Sequence, residues 1–225
     1  MSTTKERPIL FSAPMVRAIL QGRKTVTRRV MKTQPVLKGR LWNVYGAGWS
    51  DGMTSVPVFP GHSLAAKSPF GRPGDRLWVR ETWYCDHWEV MRGPYLRPSD
   101  LNVNEAREDG TLVYAADGLE PYEQDQSIWK PSIHMPRWAS RILLEVTDVR
   151  VERLQDISDK EIEAEGIDLD ALADGQDRYD MYHAGSGADG RPTLRTSWRY
   201  LWESTGGNWE ANPWVWIVSF KRVTP

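Results

Sequence analysis

Residues 214–220, Trp214-Val215-Trp216-Ile217-Val218-Ser219-Phe220, form a run that is apolar on both faces of an extended chain. Such a strand has to be covered on both sides, so it belongs in the middle of a sheet or barrel wall. A second run, Arg141 to Val151, carries Ile142, Leu144, Val146 and Val149, supported by Leu143 and Val151, and reads as the other principal strand. Shorter strands are expected at Ile9–Phe11, Thr25–Val30, Leu77–Thr82 and Leu112–Ala115. Helices are few. Ser12 and Pro14 open one whose apolar stripe is Met15, Val16, Ile19 and Leu20, closed by Gly22. Ser158-Asp159-Lys160-Glu161 is a capping box opening a second, closed by Gly166. Leu194–Trp202 reads as a third. Many short strands with few helices predict an α+β chain built on a small β-barrel of about five to six mixed strands, flanked by short helices.

Three stretches break this pattern. Residues 31–72, 84–130 and 168–193 are rich in Gly, Pro, Ser or acidic residues and predict long loop insertions in a single domain spanning 1–225, with one hairpin near Leu41–Tyr45. The stretch Pro131 to Trp138 holds two prolines, Pro131 and Pro136, and predicts a rigid irregular loop.

Charge is uneven. The net charge of −1 argues against coating nucleic acid by charge alone. Residues 1–40 carry a balance of +9 and residues 151–180 a balance of −8. This is either a basic face for an anionic ligand or two segments that attract each other. The single cysteine, Cys85, excludes an intrachain disulfide and fits a reducing compartment. It reads as a packed thiol, with nucleophilic use beside His87 as the alternative. His62, His87, His134 and His183 lack ligand spacing, so no metal and no cofactor is expected. The polar start, Met1–Arg7, has no signal-peptide core, and no apolar run reaches membrane-span length, so the expected location is the cytoplasm, away from membranes. The chain holds twelve Trp; they fill core or wall a ligand site.

Four blocks in order carry a resemblance. They are Leu20-Gln21-Gly22-Arg23-Lys24-Thr25-Val26-Thr27-Arg28, Pro73 to Val79, Leu144 through Asp156 to Gly166, and Trp214 to Phe220. Together they resemble the ASCH domains, relatives of the PUA fold, and in particular the longer ASCH proteins of bacteriophages and prophages. The resemblance implies a PUA-like barrel with a cleft for RNA or a modified nucleobase. Small bacterial members hydrolyse N4-acetylcytidine with a Lys, a Thr and a Glu, which fall on Lys24, Thr27 and Glu165. It implies an amidohydrolase in which Thr27 is the nucleophile, Lys24 the base and Glu165 the assistant.

The residues themselves leave other readings open. Lys24 works as a base only with a lowered pKa; Arg23, Arg28 and Arg29 push it down and Glu165 pushes it up. Lys24 and Thr27, three apart, converge only if the chain turns at Lys24-Thr25. Arg23 and Arg28 are candidates to meet substrate. Trp138 stacks on a base or plugs the barrel end, and Arg137 and Arg141 meet phosphate or a base edge. Glu81, beside Arg80 and Trp83, lines the cleft or makes a barrel ion pair. His134 is a weaker acid candidate. The rival functions are a non-catalytic module binding RNA or modified DNA, and a phage protein that binds a host protein through its Trp-rich insertions.

Overall fold

The first helix and the strands around it follow from the expected punctuation. In a computed structural model, describing residues 4–91, 93, 95–118, 129–183 and 190–223, the strands and α-helices in chain order are β1 (Glu6–Leu10), α1 (Ala13–Leu20), β2 (Val26–Val30), β3 (Val36–Lys38), β4 (Leu41–Val44), β5 (Ala47–Ser50), β6 (Ser55–Pro57), β7 (Arg76–Arg80), β8 (Trp83–Cys85), α2 (Trp88–Met91), α3 (Val103–Glu108), β9 (Leu112–Tyr114), β10 (Leu143–Arg153), α4 (Asp159–Ala164), α5 (Leu169–Tyr182), α6 (Leu194–Ser204) and β11 (Trp214–Val223). The protein is α+β, with mixed strand pairing and several short helices. No helix among the described residues is long and apolar enough to cross a membrane.

The chain divides into two compact units, each assembled from separate stretches: residues 1–20, 74–145 and 221–225 in one, 21–73 and 146–220 in the other. In the first, β1 runs parallel to β7 from Glu6↔Arg76 to Leu10↔Arg80, and the start of β10 pairs antiparallel with β7. β8 and β9 pair separately. The core here gathers Trp83, Leu112, Tyr114, Met135 and Ala139.

In the second unit the strand order is β6-β10-β11-β2. β11 therefore has a strand neighbour on each edge. Its partner β2 is antiparallel, Val26↔Ser219 to Val30↔Val215. Helices α4 and α6 bring Ile162, Trp198 and Trp202 onto Val26, Val215 and Ile217. Eight of the twelve Trp are buried, so most Trp serve as core, while Trp88 stands 65% exposed.

Four expectations are corrected. The described pairings do not close into a barrel. Residues 31–72 are not one long loop: β3, β4 and β5 form a separate antiparallel sheet, and β6 pairs with β10. Tyr45 and Gly46, both at positive φ (51° and 78°), make the two-residue turn joining Val44 to Ala47, the geometry whose twist suits a hairpin. Residues 169–182, expected to be a flexible insertion, form the fourteen-residue helix α5, started by Asp168, whose side chain accepts from the Ala171 N–H. None of its residues is buried. The expected insertion at 84–130 likewise holds α2, α3 and β9, and its residues 119–128 lie outside the described set, as do 184–189 of the third.

Packing around Trp202 gives a first test. A Cβ on Gly207 would lie 2.6 Å from both Cδ1 and Cε2 of the Trp202 indole, which is held in the core. Gly207→Ala is expected to lower stability by about 1–3 kcal/mol through overpacking. Gly175→Ala, whose Cβ meets only Pro192 Cγ at 3.8 Å in mid-helix, is expected to leave stability unchanged or raise it. Thermal unfolding of the two variants checks the contrast; equal midpoints would refute it.

Candidate functional site

Gly22, at φ 77°, ends α1 in the left-handed conformation, and the chain reaches β2 four residues later. Lys24 sits in that joint, so strand alternation does not dictate its direction. The Thr25 N–H donates to the Ala164 carbonyl, which lays the joint along the end of α4. Helix α4 starts with the expected capping box: the Ser158 N–H and hydroxyl both donate to Glu161 Oε2, at 3.0 and 2.9 Å. Glu165 is its C-cap, and Gly166, at φ 92°, turns the chain away.

The Lys24 ammonium donates to Glu165 Oε2 at 2.5 Å and to the Glu165 backbone carbonyl at 2.9 Å. Both side chains are buried, at 0% and 2% exposure. Arg28, also wholly buried, donates from Nη1 to Glu165 Oε1 at 3.2 Å. Its Nη2 stands 3.2 Å from Glu161 Oε1 and 3.8 Å from Glu152 Oε2. Arg150 then binds Glu161 and donates to Glu152 Oε1 at 2.7 Å and Asp148 Oδ2 at 3.3 Å. The result is a ladder of alternating charges: Lys24, Glu165, Arg28, Glu161, Arg150, Glu152. The basic N-terminal segment and the acidic 151–180 segment therefore attract each other through Lys24 and Arg28.

Burial is the largest influence on Lys24 and lowers its pKa; Glu165 opposes this, and Arg29 and Arg28 add to it. The Glu161 carboxyl is pushed up by burial, but the Ser158 hydrogen bonds and Arg28 outweigh it, and its net pKa is lowered. Among the residues named as candidates, the structure thus joins Lys24, Arg28 and Glu165. Thr27 is buried in β2 on the strand face opposite Val26 and Arg28. Arg28 points inward to carboxylates rather than to an accessible ligand. Arg23 binds the end of α4, donating to the Gly166 carbonyl at 2.8 Å and to Gln21 Oε1, and lines an open cleft of ≈ 740 Å³ with Lys160, Asp168 and Asp170. A smaller cleft of ≈ 300 Å³ is lined by Thr25, Thr147, Ser219, Arg150, Lys160 and Glu161. That is the lower end of the range for small-molecule sites.

The remaining candidates lie in the first unit. Arg141 forks onto Glu81, Nε to Oε1 and Nη2 to Oε2, both 3.0 Å, and onto Asp117 at 2.8 Å through Nη1 and Nη2. Its guanidinium lies 4.0 Å from the Tyr114 ring centroid. Burial raises the Glu81 pKa against the pull of Arg141. This is the ion-pair reading of Glu81. Trp138 is half-buried and edge-on to Trp83, with centroids 5.9 Å apart, and donates to the Tyr95 carbonyl at 2.9 Å, so it packs against the core of the first unit. Arg137 pairs with Glu6 at the surface. The Cys85 thiol is buried and its pKa is pushed up to about 11, so it is protonated at neutral pH and a poor nucleophile. Among the described residues no group of His, Cys, Asp and Glu is placed to hold a metal.

Sequence reasoning missed Glu161, Arg150 and Glu152 as members of the ladder. Arg150 and Glu152 stand two apart on β10, hence on one face, a signal for such a pair. Glu161 showed only its capping role.

Compared with models of protein families, with curated proteins and with solved structures, the chain matches none.

Proposed function

We propose that this protein is a PUA-like ASCH protein of the cytoplasm that acts as an amidohydrolase on an N4-acylated cytosine base or nucleoside, free or within RNA. The observation that carries this reading is the buried Lys24–Glu165 pair, with the Lys24 pKa lowered. A lysine serves as a general base only when its proton can leave near the working pH, and burial moves it that way. The proposed reaction begins with attack of the Thr27 hydroxyl oxygen on the acyl carbonyl carbon, its proton passing to Lys24. The C–N4 bond breaks as that proton moves to the leaving amine. Water then cleaves the acyl–Thr27 ester and releases the carboxylic acid. Lys24 starts as the neutral amine, and Glu165 holds the ammonium that forms while Lys24 carries the proton. Thr27 has to approach Lys24 from its own face of β2 for this route.

Chromatography of N4-acetylcytidine incubated with the protein tests it. Wild type is expected to release cytidine, and Lys24→Ala to be slower by on the order of 10²-fold or more. No turnover, or equal turnover, sinks the proposal. Turnover kept in Thr27→Ala but lost in Lys24→Ala would make water the nucleophile.

A second reading is a module that binds RNA or modified DNA without reaction. The internal pairing of Lys24 and Arg28 with Glu165 and Glu161 takes both out of phosphate contact, so this reading rests on Arg23, which is part-exposed at the larger cleft. Binding that weakens steeply with salt and yields no product supports it.

A further inference from the structure

Arg28 was a candidate to meet substrate, yet its side chain is wholly buried and its amino groups face only carboxylates. Glu161 and Glu165 lie four residues apart around α4, so they project from one side of the helix a turn apart. Arg28 Nη1 donates a hydrogen bond to Glu165, and Nη2 lies 3.2 Å from Glu161 as an ion pair without hydrogen-bond geometry. The two oxygens of Glu165 are thereby divided: Oε1 to Arg28, Oε2 to Lys24. Glu161 is divided too, with Oε2 used by the capping box and Oε1 turned to Arg28 and Arg150.

We propose that Arg28 is a positioning residue that clamps Glu161 and Glu165 together and so holds Glu165 Oε2 against the Lys24 ammonium. A planar guanidinium spans two carboxylates in fixed directions; an ammonium on a flexible stem cannot. Without the clamp, Glu165 is free to rotate about its side-chain bonds and the Lys24 contact loses its single geometry. The charged groups that act on Lys24 are Glu165 from the end of α4 and Arg28 and Arg29 from β2. Removing Arg28 takes away one of the two cations that lower the Lys24 pKa.

The turnover arm of the test rests on the amidohydrolase reading; the other arm does not. Arg28→Gln and Arg28→Lys are compared with wild type by nuclear magnetic resonance of isotope-labelled lysine side chains, the Lys24 signal being assigned from its loss in Lys24→Arg. N4-acetylcytidine turnover is measured alongside. In Arg28→Gln the Lys24 titration midpoint is expected to rise by about one pH unit. In Arg28→Lys, which keeps the charge but loosens the Glu165 contact that raises the Lys24 pKa, the midpoint is expected to fall below the wild-type value. In both variants kcat is expected to fall at least about tenfold with KM little changed, the mark of lost alignment rather than lost binding. A wild-type midpoint and kcat in folded Arg28→Lys would overturn the clamp, because charge alone would then suffice. If Arg28→Gln fails to fold, Arg28→Lys decides. If wild type turns over no N4-acetylcytidine, the amidohydrolase reading fails, and the Lys24 midpoint alone decides the role of Arg28.

Discussion

Glu165→Ala is expected to lower the free energy of unfolding by about 3–5 kcal/mol at neutral pH, the cost of leaving a buried charge without its partner. Two cations lose an oxygen each: Lys24 at 2.5 Å and Arg28 at 3.2 Å. Arg28 keeps Glu161 and Glu152, so Lys24 bears most of the loss. The deficit should shrink at alkaline pH. Burial already holds the folded pKa of Lys24 below its unfolded value, and Glu165 is the main influence raising it. Where a folded pKa lies below the unfolded value, the unfolded chain binds more protons and stability rises with pH between the two. Without Glu165 the folded pKa falls further and that window widens, so the variant recovers more than wild type as pH rises toward ~10.4. Urea unfolding followed by Trp fluorescence at several pH values measures this. Lys24→Met with Glu165→Leu, which removes both charges and fills the space, should recover most of the loss. A single alanine variant as stable as wild type would show that the pair does not hold the joint to α4.

Arg141→Met is expected to cost about 3–5 kcal/mol in the first unit, by the same physics with the sign of the orphan reversed. It removes four hydrogen bonds, two to Glu81 and two to Asp117, and leaves Glu81 buried at 1% exposure. Arg141→Lys should restore little, since an ammonium cannot fork onto two carboxylates and lie over Tyr114 at once. Acid should narrow this deficit. The folded pKa of Glu81 is raised by burial, and losing Arg141 raises it further. A folded carboxyl with a raised pKa binds more protons than the unfolded one, so stability is gained as pH falls through that value. Unfolding of Arg141→Met at neutral and mildly acidic pH checks both size and direction. A deficit that grows in acid would refute the assignment.

The parts legible in the sequence were those with local causes. The α4 capping box needs only Ser158 and Glu161, and the stop after α1 needs only Gly22 at positive φ. The two long strands were legible from alternation or continuous apolarity over 7–11 residues. β3 and β6 were not, and β4 with β5 only as a hairpin near Leu41–Tyr45, because strands of three or four residues hold too few positions to show a period. α5 was missed because its Asp residues and central Gly175 suggest a solvated loop; its signal, the Asp168 cap, is easily lost among other acidic residues. For the site, the uneven charge gave the ingredients without the pairing. Lys24 and Glu165 are 141 residues apart, and nothing local states which acid meets which base.

The double use of Glu161 has an evolutionary corollary. One carboxylate starts a helix with one oxygen and, with the other, hydrogen-bonds Arg150 and pairs electrostatically with Arg28. Ser158, Arg28, Arg150, Glu161 and Glu165 are thus energetically coupled, and substitutions among them should be strongly epistatic. A neutral drift at any one of them changes what is tolerated at the rest. Lineages that alter this corner of the protein should therefore do so by compensated pairs, with Arg28 the hardest single position to change.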